Sequence, residues 1–405
     1  MPPRPPPHAI SPGPRRSAVA RVDHDRVTVL LHRLVATDSV NPSLAPDARG
    51  EGAIADLIAA ECAEAGLQVR LDQVAPGRCN VVARLRGRAP GQRLLLNGHM
   101  DTVTVAGMSG NPFGGAVEGT RLVGRGAYDM KGSLAAMIEA ARLVAGAGLR
   151  SGELILAFVI DEEYESLGTA DWLRRETADA AVVTEPTGLE VCVAHKGFVW
   201  ARLETQGRAA HGSRYNEGDD AIVRMGHVLA ALDRLDREAL PRRPHPLLGR
   251  ASIHASTVSG GLGLSTYPDR CVLAVERRTL PGESDDDVVA ELRGVVDEAA
   301  RASPGLVGGL EILLTRPPYE IAADAPIVRA VIESVRWVRG QPPRLIGEFP
   351  WFDAALLGAA GIPTVMFGPV GAGAHAAEEW VDLPSVFTCA EVLADLATRF
   401  CGSAS

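Results

Sequence analysis

The sequence lacks long apolar segments and any excess of basic residues. No apolar run reaches the roughly 18–20 residues that a membrane-spanning helix requires. Lysine and arginine number 41 against 50 aspartates and glutamates, which gives the 405-residue chain a net charge of −9 at pH 7. Neither nucleic acid nor an anionic membrane is therefore expected as the main partner, because both attract basic proteins.

The sequence also lacks paired cysteines. Six cysteines are scattered along the chain without a CxxC pair: Cys62, Cys79, Cys192, Cys271, Cys389 and Cys401. This spacing argues against a structural zinc site built from cysteines and against a disulfide framework. We therefore predict that most of these residues are buried thiols in a protein of the reducing cytoplasm.

The length predicts about two domains. Residues 1–22 are rich in proline and arginine, lack the apolar centre of a secretory signal, and are predicted to form a disordered tail. Strands and helices alternate over 23–196 and again over 316–405, which is typical of an α/β fold with a mostly parallel sheet. Residues 197–315 instead follow the order β-α-β-β-α-β of a ferredoxin-like α+β unit. The sequence thus predicts an α/β domain interrupted by an inserted domain.

Histidines and carboxylates recur at the ends of the predicted buried strands. They are His99 and Asp101 after LLLNG, Asp161, Glu162 and Glu163 after LAFVI, Glu185 after AVVT, His375 in the Gly-rich loop after VMFGP, and Asp129 in the turn GRGAYDMKG. Each one alone also fits a structural role, as a surface histidine, a turn cap or a solvated acid. Loops beyond the carboxyl ends of parallel strands, however, line one common crevice. Because crowded carboxylates are costly without a cation, the set indicates zinc or a similar divalent ion.

Five segments resemble, in order and spacing, the co-catalytic zinc hydrolases: GHMDTV, GRGAYDMKG, DEE, TEPT and GAGAHAAEEWV. That family includes acetylornithine deacetylase, succinyl-diaminopimelate desuccinylase, aminoacylase-1, carboxypeptidase G and related dipeptidases. The resemblance extends from about residue 25 over nearly the whole chain, including the inserted domain. It implies a zinc-peptidase-like catalytic fold, a lid or dimerisation domain, and a homodimer formed through that domain.

The resemblance implies two divalent ions per subunit, zinc as the first expectation and cobalt or manganese as alternatives. Five side chains would be ligands: Asp129 between the two ions, His99 and Glu185 at one of them, and Glu163 and His375 at the other. Asp101 would orient a ligating histidine, as carboxylate partners of such histidines do. Glu162 would be the general base that activates a metal-bridged water.

The resemblance also extends to two residues of the inserted domain. His211 is implied to stabilise the transition state, in relatives often across a dimer; the alternative is a surface histidine. Arg278, in VERRTLPGES, is implied to bind a substrate carboxylate; the alternative is a surface ion pair. The sequence departs from its relatives nearby, with Ser265 where they often have asparagine and Glu276 where they usually have aspartate.

The local sequence also gives expectations for four further residues. Asp353 lies at a predicted helix start and is expected to cap that helix. Trp351 is a candidate for the wall of a substrate pocket, as is Phe349. His195, near the predicted domain junction, is expected to be structural.

These features predict a metal-dependent amidohydrolase that removes an acyl group from an N-acyl amino acid or a related small amide, similar to acetylornithine deacetylase. The alternative is a dipeptidase or carboxypeptidase of the same family, because both reactions break an amide bond with the same metal chemistry. A non-catalytic binding protein would be expected to lack Glu162 or a ligand, and all of them are present. The H-E-x-x-H motif of mononuclear metalloproteases is absent.

Overall fold

The structure is a computed structural model that describes residues 21–402. The predicted disordered tail lies outside the described residues except for Arg21 and Val22, and Val22 is buried. The helices are α1 (His24–Ala36), α2 (Gly52–Glu64), α3 (Gly132–Ala147), α4 (Leu167–Arg175), α5 (Ala221–Arg234), α6 (Asp285–Ala302), α7 (Pro326–Arg339), α8 (Ala354–Ala359) and α9 (Leu383–Gly402). The strands are β1 (Gln68–Ala75), β2 (Arg78–Arg86), β3 (Ala89–His99), β4 (Ala116–Glu118), β5 (Arg121–Val123), β6 (Ser151–Val159), β7 (Ala180–Val183), β8 (Val191–His195), β9 (Gly197–Gln206), β10 (Ser252–Gly260), β11 (Arg270–Thr279), β12 (Val307–Arg316), β13 (Tyr319–Glu320), β14 (Leu345–Glu348), β15 (Thr364–Met366), β16 (Gly371–Ala372) and β17 (Trp380–Asp382).

The largest sheet has nine strands in the order β1-β2-β6-β3-β7-β15-β8-β13, with β14 paired to β8. Its centre, β6-β3-β7-β15, is parallel, while the pairs at both edges are mostly antiparallel. Leu94, Leu95 and Leu96 of β3 are fully buried, as their continuous apolar sequence predicted. Leu94 and Leu96 enter the core on one face and Leu95 the core on the other. This confirms the α/β fold with a mostly parallel central sheet.

Helices cover both faces of this sheet. The larger core contains residues of α1, α2, α3, α7 and α9, and the smaller one contains residues of α4 and α8. Helix α3 is buried over most of its length, which explains why its sequence is rich in alanine and has no clear polar stripe. None of the helices described between residues 21 and 402 has the length and apolar character needed to cross a bilayer.

The inserted unit forms a second, four-stranded antiparallel sheet in the order β10-β11-β9-β12. This order and the succession β-α-β-β-α-β are those of the predicted ferredoxin-like arrangement. Buried and more exposed residues alternate along β9. Its inward residues share a separate core with α5 and α6. The unit therefore has its own apolar centre and joins the larger sheet through β8 and β13.

A third, small sheet was not predicted. It has the order β16-β17-β5-β4, with strands of only two or three residues. Trp380 of β17 pairs with Val123 of β5. Because β5 precedes Asp129 and the β16–β17 turn contains His375, this sheet holds two predicted ligands side by side.

Candidate metal centre

The five predicted ligands converge at the carboxyl ends of the central strands. His99 is the last residue of β3, and Glu163 and Glu185 follow β6 and β7. Asp129 and His375 approach from the loops of the small sheet. Close packing fixes the end of β3, because a Cβ at Gly98 would lie 2.9 Å from side-chain atoms of Leu134 and Met130. The structure thus brings together the side chains that were expected to line one crevice.

The ligands form two groups that share Asp129. One group is His99, Asp129 and Glu185, and the other is Asp129, Glu163 and His375; within each, the donor atoms lie within 4.8 Å of one another. His99 Nε2 is 3.0 Å from Asp129 Oδ1 and 3.6 Å from Glu185 Oε1. His375 Nε2 is 3.0 Å from Glu163 Oε2 and 3.5 Å from Asp129 Oδ2. Each oxygen of Asp129 therefore faces a different histidine.

The donor set fits a pair of divalent cations. Glu163 Oε1 is buried without a hydrogen-bond partner in the part of the chain that the structure describes. Burial raises the pKa of Glu185 well above its usual value and that of Glu163 to about 7. Hydrogen bonds to Asp129 and Glu163 raise the pKa of His375 to about 10. Bound cations would relieve this crowding of acids, and imidazole and carboxylate groups are ligands that zinc accepts.

Asp101 contacts both His99 and the loop that carries the two glutamates. His99 Nδ1 is 2.9 Å from the backbone oxygen of Asp101 and 3.6 Å from its Oδ1, so the carbonyl is the closer partner. The carboxylate accepts the backbone N–H groups of Glu162 and Glu163 at 3.1 Å each. It also accepts Asn41 Nδ2 at 2.8 Å. One buried acid thus fixes the position of a ligand histidine relative to the Glu162–Glu163 loop.

Sequence reasoning named Asp161 without giving it a role and missed its polar partners behind this loop. Asp161 Oδ1 accepts Asn41 Nδ2 at 3.0 Å and Arg78 Nη2 at 2.9 Å. The side chain of Arg78 also forms a buried ion pair with Glu51 at 2.5 Å. These residues come from distant segments, and no local pattern in the sequence joins them.

Glu379 is a second buried acid that the sequence analysis gave no role. Four donors surround its carboxylate: Arg125 Nη1 at 2.7 Å and the backbone N–H groups of Gly126, Tyr128 and Asp129 at 3.0 Å each. Arg125 also donates to the backbone oxygen of Ala376, next to His375, at 3.1 Å. Glu379 therefore links the loop of the shared ligand to the loop of a terminal ligand.

Glu162, the predicted general base, lines a cavity above the two ligand groups. Burial raises its pKa well above the usual range, and Glu185 and Asp353 add repulsion. Asp353 begins α8 but makes no side-chain capping bond, so the capping prediction was wrong. Its Oδ2 instead accepts Thr169 Oγ1 at 2.5 Å, and burial raises its pKa to about 6.

The cavity has a volume of about 730 Å³ and lies between the metal ligands and the inserted unit. The inserted unit contributes Phe198, Trp200, Ser252 and Arg278 to its wall. Arg278 Nε donates to Glu276 Oε1 at 2.6 Å, so this arginine both lines the cavity and forms an ion pair. The ion pair that was the alternative for Arg278 is therefore present, and its place in the cavity wall leaves binding of a substrate carboxylate as a prediction.

Two other predicted positions do not line this cavity. His211 is exposed on a loop of the inserted unit, where its Nδ1 lies 2.8 Å from Ser213 Oγ. The same chain therefore does not bring it to the metal ligands. His195 is buried among the rings of Tyr319, Trp351 and Phe352, and burial lowers its pKa to about 4. This packing agrees with a structural role, whereas Trp351 and Phe349 do line the cavity as expected.

Residues 95–399 match the sequence model of peptidase family M20/M25/M40. The chain belongs to this family. Among its relatives, the N-formyl-4-amino-5-aminomethyl-2-methylpyrimidine deformylase of Bacillus subtilis is 28% identical over 88% of this chain and 91% of its own length. The acetylornithine deacetylase of Myxococcus xanthus is also 28% identical, over 82% of this chain and 87% of its own length.

Solved structures agree with the fold. A tripeptidase of Staphylococcus aureus matches with a TM-score of 0.80 and 19% identity over 95% of this chain and 100% of its own. A dinuclear metal-binding M20 peptidase of Bacillus subtilis matches with a TM-score of 0.72 and 18% identity over 93% and 98%. The predicted family and fold are confirmed, and this M20 protein is a hydrolase of amide bonds.

Proposed function

We propose that this M20 hydrolase removes an acyl group from an N-acyl amino acid or a related small amide, as an acetylornithine deacetylase-like enzyme. The observation that carries the proposal is one cavity that is lined by Glu162, Arg278 and four of the five predicted ligands. The similarity to a deformylase and to acetylornithine deacetylases supports a small acyl group. A dipeptidase or carboxypeptidase remains the second candidate, because a tripeptidase and dipeptidases share the fold.

The two ligand groups would hold two divalent ions, zinc in the first instance and cobalt or manganese as alternatives. Ions bound there would polarise the scissile carbonyl and lower the pKa of a water molecule. Asp129 would contact both ions, since its two oxygens face different histidines. Asp101 and Glu379 hold the backbone that presents these ligands and so limit their motion.

Glu162 would act as the general base. It would take a proton from the attacking water and return it to the leaving nitrogen, so that the glutamate is regenerated. In the metal-free protein, burial raises the pKa of this carboxyl, which is the direction that makes a carboxylate a stronger base. Arg278 would orient the substrate by binding the carboxylate of the substrate. Its guanidinium would then contact both that carboxylate and Glu276.

We further propose a cytoplasmic homodimer. All six cysteines are free thiols, which suits a reducing compartment. Strand β10 forms one edge of the inserted sheet, and the large apolar side chains of Val258, Leu262 and Leu264 are exposed on it or just beyond it. Pairing of two copies along this edge would cover them and would give His211 a route to the partner's cavity. Light scattering at micromolar concentration tests this, and a monomeric mass would contradict it.

The function is tested with a panel of N-acetyl, N-succinyl and N-formyl amino acids, together with dipeptides. Wild type and Glu162→Gln are assayed after chelation and after addition of zinc, cobalt or manganese. Metal-dependent deacylation that is lost in the variant, with two metals still bound per chain, is the expected result. Cleavage of dipeptides alone would favour the second candidate. Failure to bind any metal after reconstitution would refute the proposal.

A further inference from the structure

The cavity contains one carboxylate that neither the chain nor the proposed metal centre neutralises. Glu348, the last residue of β14, lines the same cavity as Glu162 and Arg278 and is half-buried. Its carboxylate has neither an ion pair nor a hydrogen bond with any residue between 21 and 402. An acid in this environment lacks the partner that buried charges usually have.

The cations of the cavity wall are already engaged elsewhere. Each of the three has its own partner: Lys196 Nζ donates to the backbone oxygen of Arg250 at 2.7 Å, Arg278 Nε to Glu276 Oε1 at 2.6 Å, and Arg316 Nη2 to the backbone oxygen of Glu165 at 2.8 Å. None of them forms an ion pair with Glu348, although all line the same cavity. Glu348 therefore has no direct ion-pair partner among these three residues of the cavity wall.

The other acids of the cavity wall have a use in the proposed mechanism. Asp129, Glu163 and Glu185 are the proposed ligands, and Glu162 is the proposed base. Glu348 is the remaining acid of the described lining. Burial raises the pKa of its carboxyl, because removal of water disfavours the charged form. A cationic group that entered the cavity would replace the lost hydration and form a charge-assisted hydrogen bond.

We propose that Glu348 binds an amine or guanidine group of the substrate and selects N-acyl amino acids with cationic side chains. The inference rests on the proposed function, since it concerns the substrate of the same cavity. Phe349 and Trp351 lie beside Glu348 in the wall and would contact the methylene groups that carry such a cation. Arg278 would hold the substrate carboxylate, so that the two charged groups of the substrate fix its orientation together.

The test compares three substrates of similar size on the metal-reconstituted protein. Nα-acetylornithine carries the cation, Nα-acetylnorleucine is its neutral near-isostere, and Nα-acetylglutamate carries an anion. We expect kcat/KM of wild type to favour the ornithine compound over the norleucine compound by about 10- to 100-fold, the range of one hydrogen bond to a charged group. Glu348→Gln should reduce this ratio to about threefold or less, and Glu348→Lys should shift the preference toward Nα-acetylglutamate.

The control is Glu333→Gln, which makes the same charge change on the exposed side of α7 and should keep the wild-type ratio. An unchanged ratio in Glu348→Gln, or a wild type that prefers the neutral or anionic compound, would overturn the inference. If no compound is hydrolysed, the proposed function fails, but calorimetric binding of ornithine and norleucine still tests Glu348. Equal affinities of the two amino acids would then overturn the inference, and a preference for ornithine that Glu348→Gln abolishes would support it.

Discussion

Replacement of Glu379 by glutamine should loosen the loop of the shared ligand. Its Oε1 accepts the N–H groups of Tyr128 and Asp129, and its Oε2 accepts Gly126 N–H and Arg125 Nη1. A glutamine side chain has one acceptor oxygen and one NH2 donor. In either orientation, its NH2 group faces two donors, so two of the four hydrogen bonds are lost and the Arg125 charge is left unpaired.

The expected loss of stability follows from the loss of the ion pair between Glu379 and Arg125. Removing one partner of a buried ion pair costs about 3–5 kcal/mol. The side chains of both Glu379 and Arg125 are nearly inaccessible, with exposures of 1% and 3%. We therefore expect the metal-free Glu379→Gln protein to lose about 3–5 kcal/mol of unfolding free energy. Metal affinity should fall by about 10- to 100-fold, because the residue supports a ligand without being one.

Two measurements check this prediction. Urea unfolding of the chelated protein gives the change in free energy, and competition with a chromogenic chelator gives the change in metal affinity. Glu378→Gln is the matched control, since Glu378 is the exposed neighbour, and it should change stability by no more than about 0.5 kcal/mol. If Glu379→Gln unfolds like wild type and binds metal with unchanged affinity, the hydrogen bonds of Glu379 do not order the Asp129 loop.

Two further predictions concern protons and packing. Metal binding at pH 7 should release protons, and metal affinity should fall as the pH falls. The reason is that hydrogen bonds to Asp129 and Glu163 raise the pKa of metal-free His375 to about 10, whereas a ligating histidine must be neutral. Calorimetry in two buffers of different ionisation enthalpy measures the proton release, and binding without it would contradict the prediction. Leu95→Ala should cost about 2–5 kcal/mol in urea unfolding, because Leu95 is fully buried at the centre of the large sheet. Leu71→Ala, at a position of β1 that is 48% exposed, is its control, and an equal loss in both variants would argue against the central position of β3.

The parts of the fold that could be predicted are those with a strong local signal. A continuous apolar run such as Leu94–Leu96 is typical of a strand covered on both faces, and both faces of β3 are buried there. The alternation of apolar and polar residues in β9 is typical of a strand with one covered face, and its burial alternates. The small sheet could not be predicted, because strands of two or three residues are too short to show any period.

The residues of the candidate site also fall into those that the sequence could predict and those that it could not. The predicted ligands could be proposed because three of them follow strands of the large sheet whose carboxyl ends must meet, and because the order of all five resembles a known family. The roles of Glu379 and Asp161 could not be predicted, because the local sequence around an acid that binds backbone N–H groups does not differ from that around a solvated acid. Asp353 was expected to cap α8 because it begins a helix, but its partner Thr169 lies 184 residues away in the sequence. Local sequence therefore predicts which residues carry charge, and long-range contacts decide what that charge does.

The arrangement of the two sheets explains why the centre needs these supporting acids. His99, Glu163 and Glu185 come from strands of the large sheet, and their side chains are almost completely buried. Asp129 and His375 come from the small sheet, where the His375 side chain is 54% exposed. Because the five predicted ligands come from two different sheets, their spacing depends on contacts between the sheets rather than on either sheet alone. Asp101 holds the loop on the large-sheet side and Glu379 the loops on the small-sheet side, so that Asp129 lies between the two histidines.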